Sequence, residues 1–210
     1  MYLSPMNREL VSISLTGDGE FTVYTDGTVK LPDGRGKDIN DLLDEPIIID
    51  NRPGNVVQVI GSVMYVSCLK KDQHVIADML DSDDGDPAYH SVAFIIAIDW
   101  NSWERVWDRD IGLGGLTAMS VSDDAVYVAG FREYTNKDTC RTIVAKIDHA
   151  GELIWMQEID AAATPHPTEI DISPDGLTVF VDSFNTFKGN MIRFKIDLDV
   201  SGVLYDIKTL

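Results

Sequence analysis

Apolar and polar residues alternate in short runs along this chain, and most runs end in a cluster of Gly, Asp, Asn or Pro. Well-formed examples are Val63–Leu69, Ala125–Phe131 and Leu177–Phe184, which have strand length and are rich in β-branched and aromatic residues. Helical periodicity is nearly absent, and only Lys37–Asp44 and Gln73–Leu80 suggest short helical pieces. The pattern predicts an all-β protein.

The strands recur in a repeated module. Ala97-Ile98-Asp99 returns as Lys146-Ile147-Asp148 and as Lys195-Ile196-Asp197, with a step of 49 residues each time. A pair of strands precedes each tripeptide, and a short polar turn and a further strand follow it. The module is therefore predicted to contain four antiparallel strands, which we call a, b, c and d.

Four such modules fill one predicted domain of 210 residues, with approximate bounds 8–54, 55–111, 112–161 and 162–210. In module one, strands a and b are predicted at Leu10–Leu15 and Glu20–Tyr24, and the second half at Thr28–Leu31 and Ile47–Ile49. Module two carries a long insertion between strands b and c, at Lys70–His90. The strands predicted for module two are Val56–Ile60, Val63–Leu69, Ser91–Ile98 and Trp103–Ile111. Those of module three are Leu116–Ser122, Ala125–Phe131, Thr142–Ile147 and Leu153–Asp160. Those of module four are Thr168–Ser173, Leu177–Phe184, Met191–Ile196 and Gly202–Thr209.

Four-stranded modules of roughly 50 residues are typical of β-propellers, in which blades stack because one blade cannot bury both faces alone. The predicted fold is therefore β-propeller-like, with about four four-stranded antiparallel blades. Three arrangements stay open at this point: a complete four-bladed ring, a ring completed by another copy, and an open stack capped by a partner.

Two groups of known repeats share features with these modules. The stretch Pro165–Pro167 followed by Ile172–Val181 resembles blades of YVTN and lactonase-type propellers. The stretches Val126–Phe131, Val144–Asp148 and Gly151–Trp155 resemble PQQ-like and SBBP-type repeats. The resemblance covers residues 91–210 best. It implies a propeller blade and does not imply a particular chemistry.

The composition is strongly acidic, with 35 Asp and Glu against 17 Lys and Arg and a formal net charge of −18. Such a surface repels polyanions, so nucleic acid and anionic membranes are not expected partners.

No apolar run is long enough to span a membrane, and Met1–Leu10 lacks the apolar core of a signal peptide. We therefore expect a cytoplasmic protein or one built into a particle that is assembled inside the cell. The two cysteines, Cys68 and Cys140, rule out a disulfide framework.

The strongest candidate metal site is an acidic loop in the module-two insertion. Asp81, Asp83, Asp84 and Asp86 surround Gly85, and alternating carboxylates at a Gly turn can wrap Ca²⁺. The spacing departs from that of an EF-hand, because Gly85 would occupy loop position 5 instead of 6. The alternative is a solvated acidic loop whose charge attracts a basic protein.

A second set of carboxylates follows the repeat: Asp50, Asp99, Asp148 and Asp197. They could converge on a cation at the centre of a ring, or each Asp could simply open the turn between strands c and d. The four histidines, His74, His90, His149 and His166, have no metal-ligand spacing, and a surface or turn role is expected for each.

The tryptophans and one glycine cluster are expected to serve packing and connection. Trp107 and Trp155 are predicted to pack between blades, and Gly112–Gly115 to connect blades two and three. Trp100 and Trp103 flank a turn, where packing is favoured over an exposed aromatic contact.

Two functions from different classes follow. The first is a non-catalytic structural or protein-interaction module, with a protein partner or self-association, for instance in a virion. The second is a small cation-dependent hydrolase of lactonase-like type. A sugar-binding propeller is a further alternative, for which Trp100 and Tyr134 are the aromatic candidates. No catalytic residue and no organic cofactor are assigned.

Overall fold

The computed structural model describes residues 10–16, 19–45, 47–49, 57–71, 91–133, 140–160, 165–185 and 190–210. Seventeen strands in these residues form four antiparallel sheets, and the blades are named one to four in chain order. Blade one contains β1 (Leu10–Thr16), β2 (Gly19–Tyr24), β3 (Thr28–Lys30) and β4 (Gly36–Asp38). Blade two contains β5 (Ile47–Ile48), β6 (Val57–Ile60), β7 (Val63–Lys71), β8 (Ser91–Asp99) and β9 (Glu104–Leu113). Blade three contains β10 (Gly115–Val121), β11 (Val126–Glu133), β12 (Cys140–Ile147) and β13 (Leu153–Ile159), and blade four contains β14 (Pro165–Ser173), β15 (Gly176–Asn185), β16 (Asn190–Asp199) and β17 (Leu204–Thr209).

The fold is all-β and propeller-like, as the sequence predicts. The strands predicted for modules two to four are confirmed with small shifts at their ends. The predicted helical piece Lys37–Asp44 is reduced to one 3₁₀ turn, Ile39–Leu42, in which the Asp38 side chain accepts a hydrogen bond from Asn40 N. The piece Gln73–Leu80 lies outside the described residues.

The predicted second half of blade one is wrong at one strand. Ile47–Ile48 pairs with Leu69 and Lys70 of blade two, and Gly36–Asp38 completes blade one instead. The turn between β3 and β4 is a tight hairpin in which Asp33 accepts a hydrogen bond from Arg35 N. In blade two, two short strands consequently share the position of strand a, because β5 and β6 pair with opposite ends of β7.

Three apolar clusters hold the stack together, one between each pair of consecutive blades. We call the side of a blade that faces the next blade in chain order its leading face. Between blades two and three, the leading face of blade two contributes Tyr65, Ile95 and Ala97, which pack on Val128 and Ala145. The other clusters follow the same plan, with Phe21, Val23, Val29, Met64, Val66 and Phe94 between blades one and two, and Tyr127, Ala129, Val144, Val179, Val181 and Ile196 between blades three and four.

Side chains also link the inner strands of neighbouring blades. The Gln58 amide donates to Met119 O at 3.0 Å and accepts from Val121 N at 2.9 Å, so it satisfies the backbone of β10 much as a paired strand would. The Thr117 hydroxyl donates to Pro167 O at 2.6 Å and links β10 to β14. These bonds fix the register of one blade against the next.

A tryptophan from each of two blades packs on the c–d turn of the following blade. Trp107 lies against Gly151, and its indole nitrogen donates to His149 O at 3.0 Å. Trp155 lies in the same way against Gly202. Their predicted role between blades is therefore confirmed.

The other two tryptophans also pack. Trp103 is buried in the cluster between blades one and two, and Trp100 meets Phe21 edge-on with ring centroids 5.1 Å apart. Trp100 also donates from its indole nitrogen to Gly61 O. The interpretation of both residues as packing groups is confirmed.

The four blades form an open series in the described residues. Each of the three apolar clusters joins consecutive blades, and none of them joins blade four to blade one. Within the same part of the chain, no helix is long and apolar enough to cross a membrane. Cys68 is buried in the cluster between blades one and two, and burial raises the pKa of its thiol. The thiol therefore serves as an apolar packing group.

Candidate interaction surface

The leading face of blade four differs in chemistry from those of blades two and three. The register aligns three pairs from strands b and c: Tyr65 with Ala97, Tyr127 with Lys146, and Thr178 with Asp197. The d-strand partner is Trp107 in blade two, Trp155 in blade three and Asp206 in blade four. The aromatic pair that stacks on the next blade is therefore replaced by a hydroxyl and a carboxylate.

Ion pairs and hydrogen bonds cover this face of blade four. The Asp197 carboxylate accepts from the Thr178 hydroxyl at 2.5 Å and lies 3.0 Å from Lys195 Nζ. Lys208 pairs with Asp206 at 2.5 Å in the neighbouring strand. Arg193 completes the set, with Glu169 at 3.4 Å, Asp182 at 3.8 Å and the Phe180 ring beneath its guanidinium group.

On the side of blade one that faces away from blade two, strands β2 and β3 carry mostly polar residues. In β2 and β3 the buried residues Phe21, Val23 and Val29 point toward blade two. The residues that alternate with them, Glu20, Thr22, Tyr24, Thr28 and Lys30, are half-buried or exposed. Polar outer faces on the terminal units are the means by which stacked-repeat proteins end the stack without aggregating. The leading face of blade four, which ion pairs cover, therefore has the character of a cap.

Exposed apolar side chains concentrate at the rim of blade four, on β17, in the turn before it and at the residue after it. They are Val200, Val203, Leu204, Tyr205, Ile207 and Leu210. The corresponding outer strand of blade two is rich in charge, with Glu104, Arg105, Asp108, Arg109 and Asp110. Charged residues protect an edge strand against pairing with other chains, and apolar ones leave it open to contact. The blade-four rim is therefore the most contact-prone edge of the described stack.

A groove of about 480 Å³ opens between this rim and the leading face of blade four. Its lining includes Asp175, Thr178, Asp197, Asp199 and Tyr205, with Leu177 and Leu198 at the buried end. The Tyr205 side chain is 84% exposed, the largest value among the exposed apolar and aromatic side chains of the described residues. No sequence-based expectation pointed to this groove.

The repeated aspartates prove to be turn residues, with a correction in blade four. Asp99 accepts from Asn101 N and Ser102 N, and Asp148 accepts from Ala150 N and Glu152 N. In blade four this role belongs to Asp199, which accepts from Ser201 N and Val203 N, whereas Asp197 lies on the leading face. Strand β16 continues to Asp199, two residues beyond the end of the repeated tripeptide. A step of 49 residues from Asp148 therefore leads to Asp197 and not to the turn residue Asp199. Asp50 lies outside the described residues.

These turn bonds predict acid sensitivity. Backbone N–H groups lower the pKa of Asp99, and the Ser201 hydroxyl with the Val203 and Ser201 N–H groups lowers that of Asp199, both from an ordinary 3.8. A carboxyl whose pKa is lower in the folded state stabilises the fold above its unfolded pKa, and that stability is lost as pH falls. We expect the urea midpoint to decline as the pH drops below about 4.

The matched variant is Asp199→Asn, which keeps an oxygen acceptor in the turn and removes the titrating group. We expect its urea midpoint to decline less steeply than that of the wild type over the same pH range. A wild-type midpoint that stays constant down to pH 2, or an identical slope in Asp199→Asn, would contradict this account.

The predicted metal residues Asp81, Asp83, Asp84 and Asp86 lie outside the described residues, as do His74, His90 and Tyr134. Among the residues that the structure describes, no group of three or more His, Cys, Asp or Glu side chains is arranged to hold a metal ion.

His149 has a structural role that its sequence context did not reveal. Its Nδ1 lies 2.9 Å from the Tyr65 hydroxyl, and its Nε2 lies 3.1 Å from Ser122 O. It thus links blade two to the a–b turn of blade three. His166 lies partly buried in β14, with its ring edge-on to Phe131.

Comparison with known proteins agrees with this architecture. The chain superimposes on a variant of the Synechocystis apocarotenoid oxygenase with a TM-score of 0.54 and 8% sequence identity, covering 95% of this chain and 48% of that one. An ACO/RPE65 chimera aligns with a TM-score of 0.51, also at 8% identity and the same coverage. The chain therefore spans about half the length of these β-propeller enzymes. No family model and no curated protein matches the sequence. At this identity the likeness shows the fold alone.

Proposed function

We propose that this chain is a non-catalytic β-propeller-type module that binds another protein, as one component of a larger assembly such as a virion. The supporting observation is the end of the stack at blade four, where a polar face, an exposed apolar rim and a groove lie together. Exposed aromatic and aliphatic side chains beside charged ones are the usual make-up of a protein-binding surface. The polar leading face of blade four favours a different protein as partner over a ring completed by a second copy.

The turn aspartates also support a structural role over the hydrolase alternative. The Asp99, Asp148 and Asp199 side chains accept hydrogen bonds from the N–H groups of their own turns. Asp197 is the third described member of the repeated set, after Asp99 and Asp148, and its carboxylate is engaged by Thr178 and Lys195. Each of these carboxylates thus has a local task that explains its presence.

Cross-linking in the native setting tests this proposal. A lysine-reactive cross-linker applied to the cells or particles that contain the protein, followed by mass spectrometry, should link Lys195 and Lys208 of blade four to one partner at fixed stoichiometry. Lys30 on the outer face of blade one is the internal comparison. Cross-links confined to Lys30, or spread over many proteins without stoichiometry, would contradict a blade-four interface.

Enzyme assays test the alternative. Purified protein should leave a panel of lactones and esters unchanged with and without added Ca²⁺. Turnover that requires Ca²⁺ and is lost in Asp81→Asn/Asp83→Asn would overturn the non-catalytic proposal and establish the acidic loop as a functional metal site.

A further inference from the structure

One backbone irregularity recurs in the outer strands of three blades. In blade two, Ala97 pairs with Trp107 and Ile98 with Arg105, so Val106 is an extra residue between them. Ile154 has the same position in blade three, and Tyr205 has it in blade four. Such a β-bulge turns a side chain out of the regular alternation of the strand. All three bulge residues are exposed: Val106 at 50%, Ile154 at 54% and Tyr205 at 84%.

Blade four differs from the others in the residue at the bulge and in what lies beside it. Aliphatic side chains occupy this position in blades two and three, whereas blade four presents an aromatic ring at the mouth of the groove. The groove exists on the leading face, which in the described structure no following blade covers. A rigid, exposed aromatic side chain beside a concavity is typical of the anchor residues that dominate protein interfaces.

The groove favours a positively charged occupant. Three aspartates, Asp175, Asp197 and Asp199, outnumber the cationic side chains of its described lining, where Lys195 stands alone and pairs with Asp197. The net charge of −18 adds a long-range attraction for basic partners. The Tyr205 ring offers a cation–π surface to a guanidinium or ammonium group.

We propose that the groove beside Tyr205 receives an arginine or lysine side chain from an extended basic segment of the partner protein, lying along the blade-four rim. This inference rests on the proposed function, because it names the chemistry of the partner. The cationic head meets the exposed Asp175 carboxylate, its alkyl stem crosses the Tyr205 ring, and the flanking residues contact the exposed side chains of Val203 and Leu204.

Binding of a defined peptide to the full chain tests the inference. The probe is a nine-residue peptide of alternating Arg and Thr, measured by isothermal titration calorimetry, and the control peptide carries Glu in place of Arg. We expect the basic peptide alone to bind, with a Kd that rises with salt concentration. We expect Tyr205→Ala to weaken binding roughly tenfold, and Asp175→Asn to weaken it severalfold.

Two matched variants separate the groove from general charge and exposure. Ile154→Ala truncates the bulge residue of blade three, and Asp41→Asn removes one exposed carboxylate from blade one. Both should keep the wild-type Kd. Circular dichroism verifies that all four variants keep the strand content, which is expected because the altered side chains lie at the surface.

The outcomes distinguish this inference from the proposed function. Failure of the basic peptide to bind, or equal weakening in Ile154→Ala and Tyr205→Ala, would overturn the groove assignment and leave the interaction module in place. Ca²⁺-dependent turnover in the enzyme assays would overturn the proposed function itself.

Discussion

Replacing Gly130 with alanine is expected to destabilise the protein by about 3 kcal/mol, because the new methyl group has no room. A Cβ atom at this position would lie 1.9 Å from Gly115 O and 2.8 Å from the Leu116 Cα atom, both in the paired strand β10. Both contacts are with backbone atoms, so no side-chain rotation relieves them. Urea unfolding followed by tryptophan fluorescence would measure the loss.

Gly36→Ala is the matched control, since it makes the same substitution in a strand of blade one. A Cβ atom there meets nothing within 4 Å, and Gly36 does not adopt a positive φ. We expect that variant to be neutral or slightly stabilised, because alanine restricts the unfolded chain. Equal effects at the two positions would show that β10 and β11 do not approach each other as described.

Gly151→Ala is expected to lower the free energy of unfolding by about 2 kcal/mol more than Gly34→Ala does. The two glycines share the same backbone angle, φ +86°, so the strain of placing alanine in the left-handed region is common to both. They differ in their surroundings. A Cβ atom on Gly151 would lie 2.8 Å from Trp107 Cδ2, whereas one on Gly34 meets nothing within 4 Å. The difference in unfolding free energy therefore measures the contact between blades two and three.

A double-mutant cycle assigns that difference to the tryptophan. In the Trp107→Ala background the space beside Gly151 is empty, so the excess cost of Gly151→Ala should disappear. Trp107→Ala alone should destabilise by about 3 kcal/mol, because its packing and its hydrogen bond to His149 O are both lost. An excess cost that persists without Trp107 would mean that the blades do not stack through this turn.

The repeat explains which parts of the fold could be predicted from the sequence. Modules two to four have β-branched runs that alternate at a period of two, and the structure has strands at the predicted places. Strand β4 was missed because Gly36-Lys37-Asp38 contains no apolar residue. Lys37 instead places its ammonium group 5.8 Å from the centre of the Trp103 ring, a contact that no periodicity records.

The candidate surface was less accessible to sequence reasoning. Thr178 stands in strand b where Tyr65 and Tyr127 stand in the other blades, but the 49-residue step between the tripeptides differs from the structural register of blade four by two residues. The exposure of Tyr205 depends on a bulge and on the end of the stack at blade four, and both are three-dimensional facts. The acidic loop Asp81–Asp86 lies outside the described residues, and its Ca²⁺ site stays a prediction.

Native mass spectrometry tests most directly whether blade four ends the stack. It compares the purified wild-type chain with the triple variant Thr178→Tyr/Asp197→Ala/Asp206→Trp. The variant gives blade four the leading-face residues of blade two, Tyr65, Ala97 and Trp107. We predict a single-chain species of 23.3 kDa for the wild type and self-association for the variant. A stable two-chain species of the wild type, unchanged by chelator, would contradict the capped stack and favour a ring completed by a second copy.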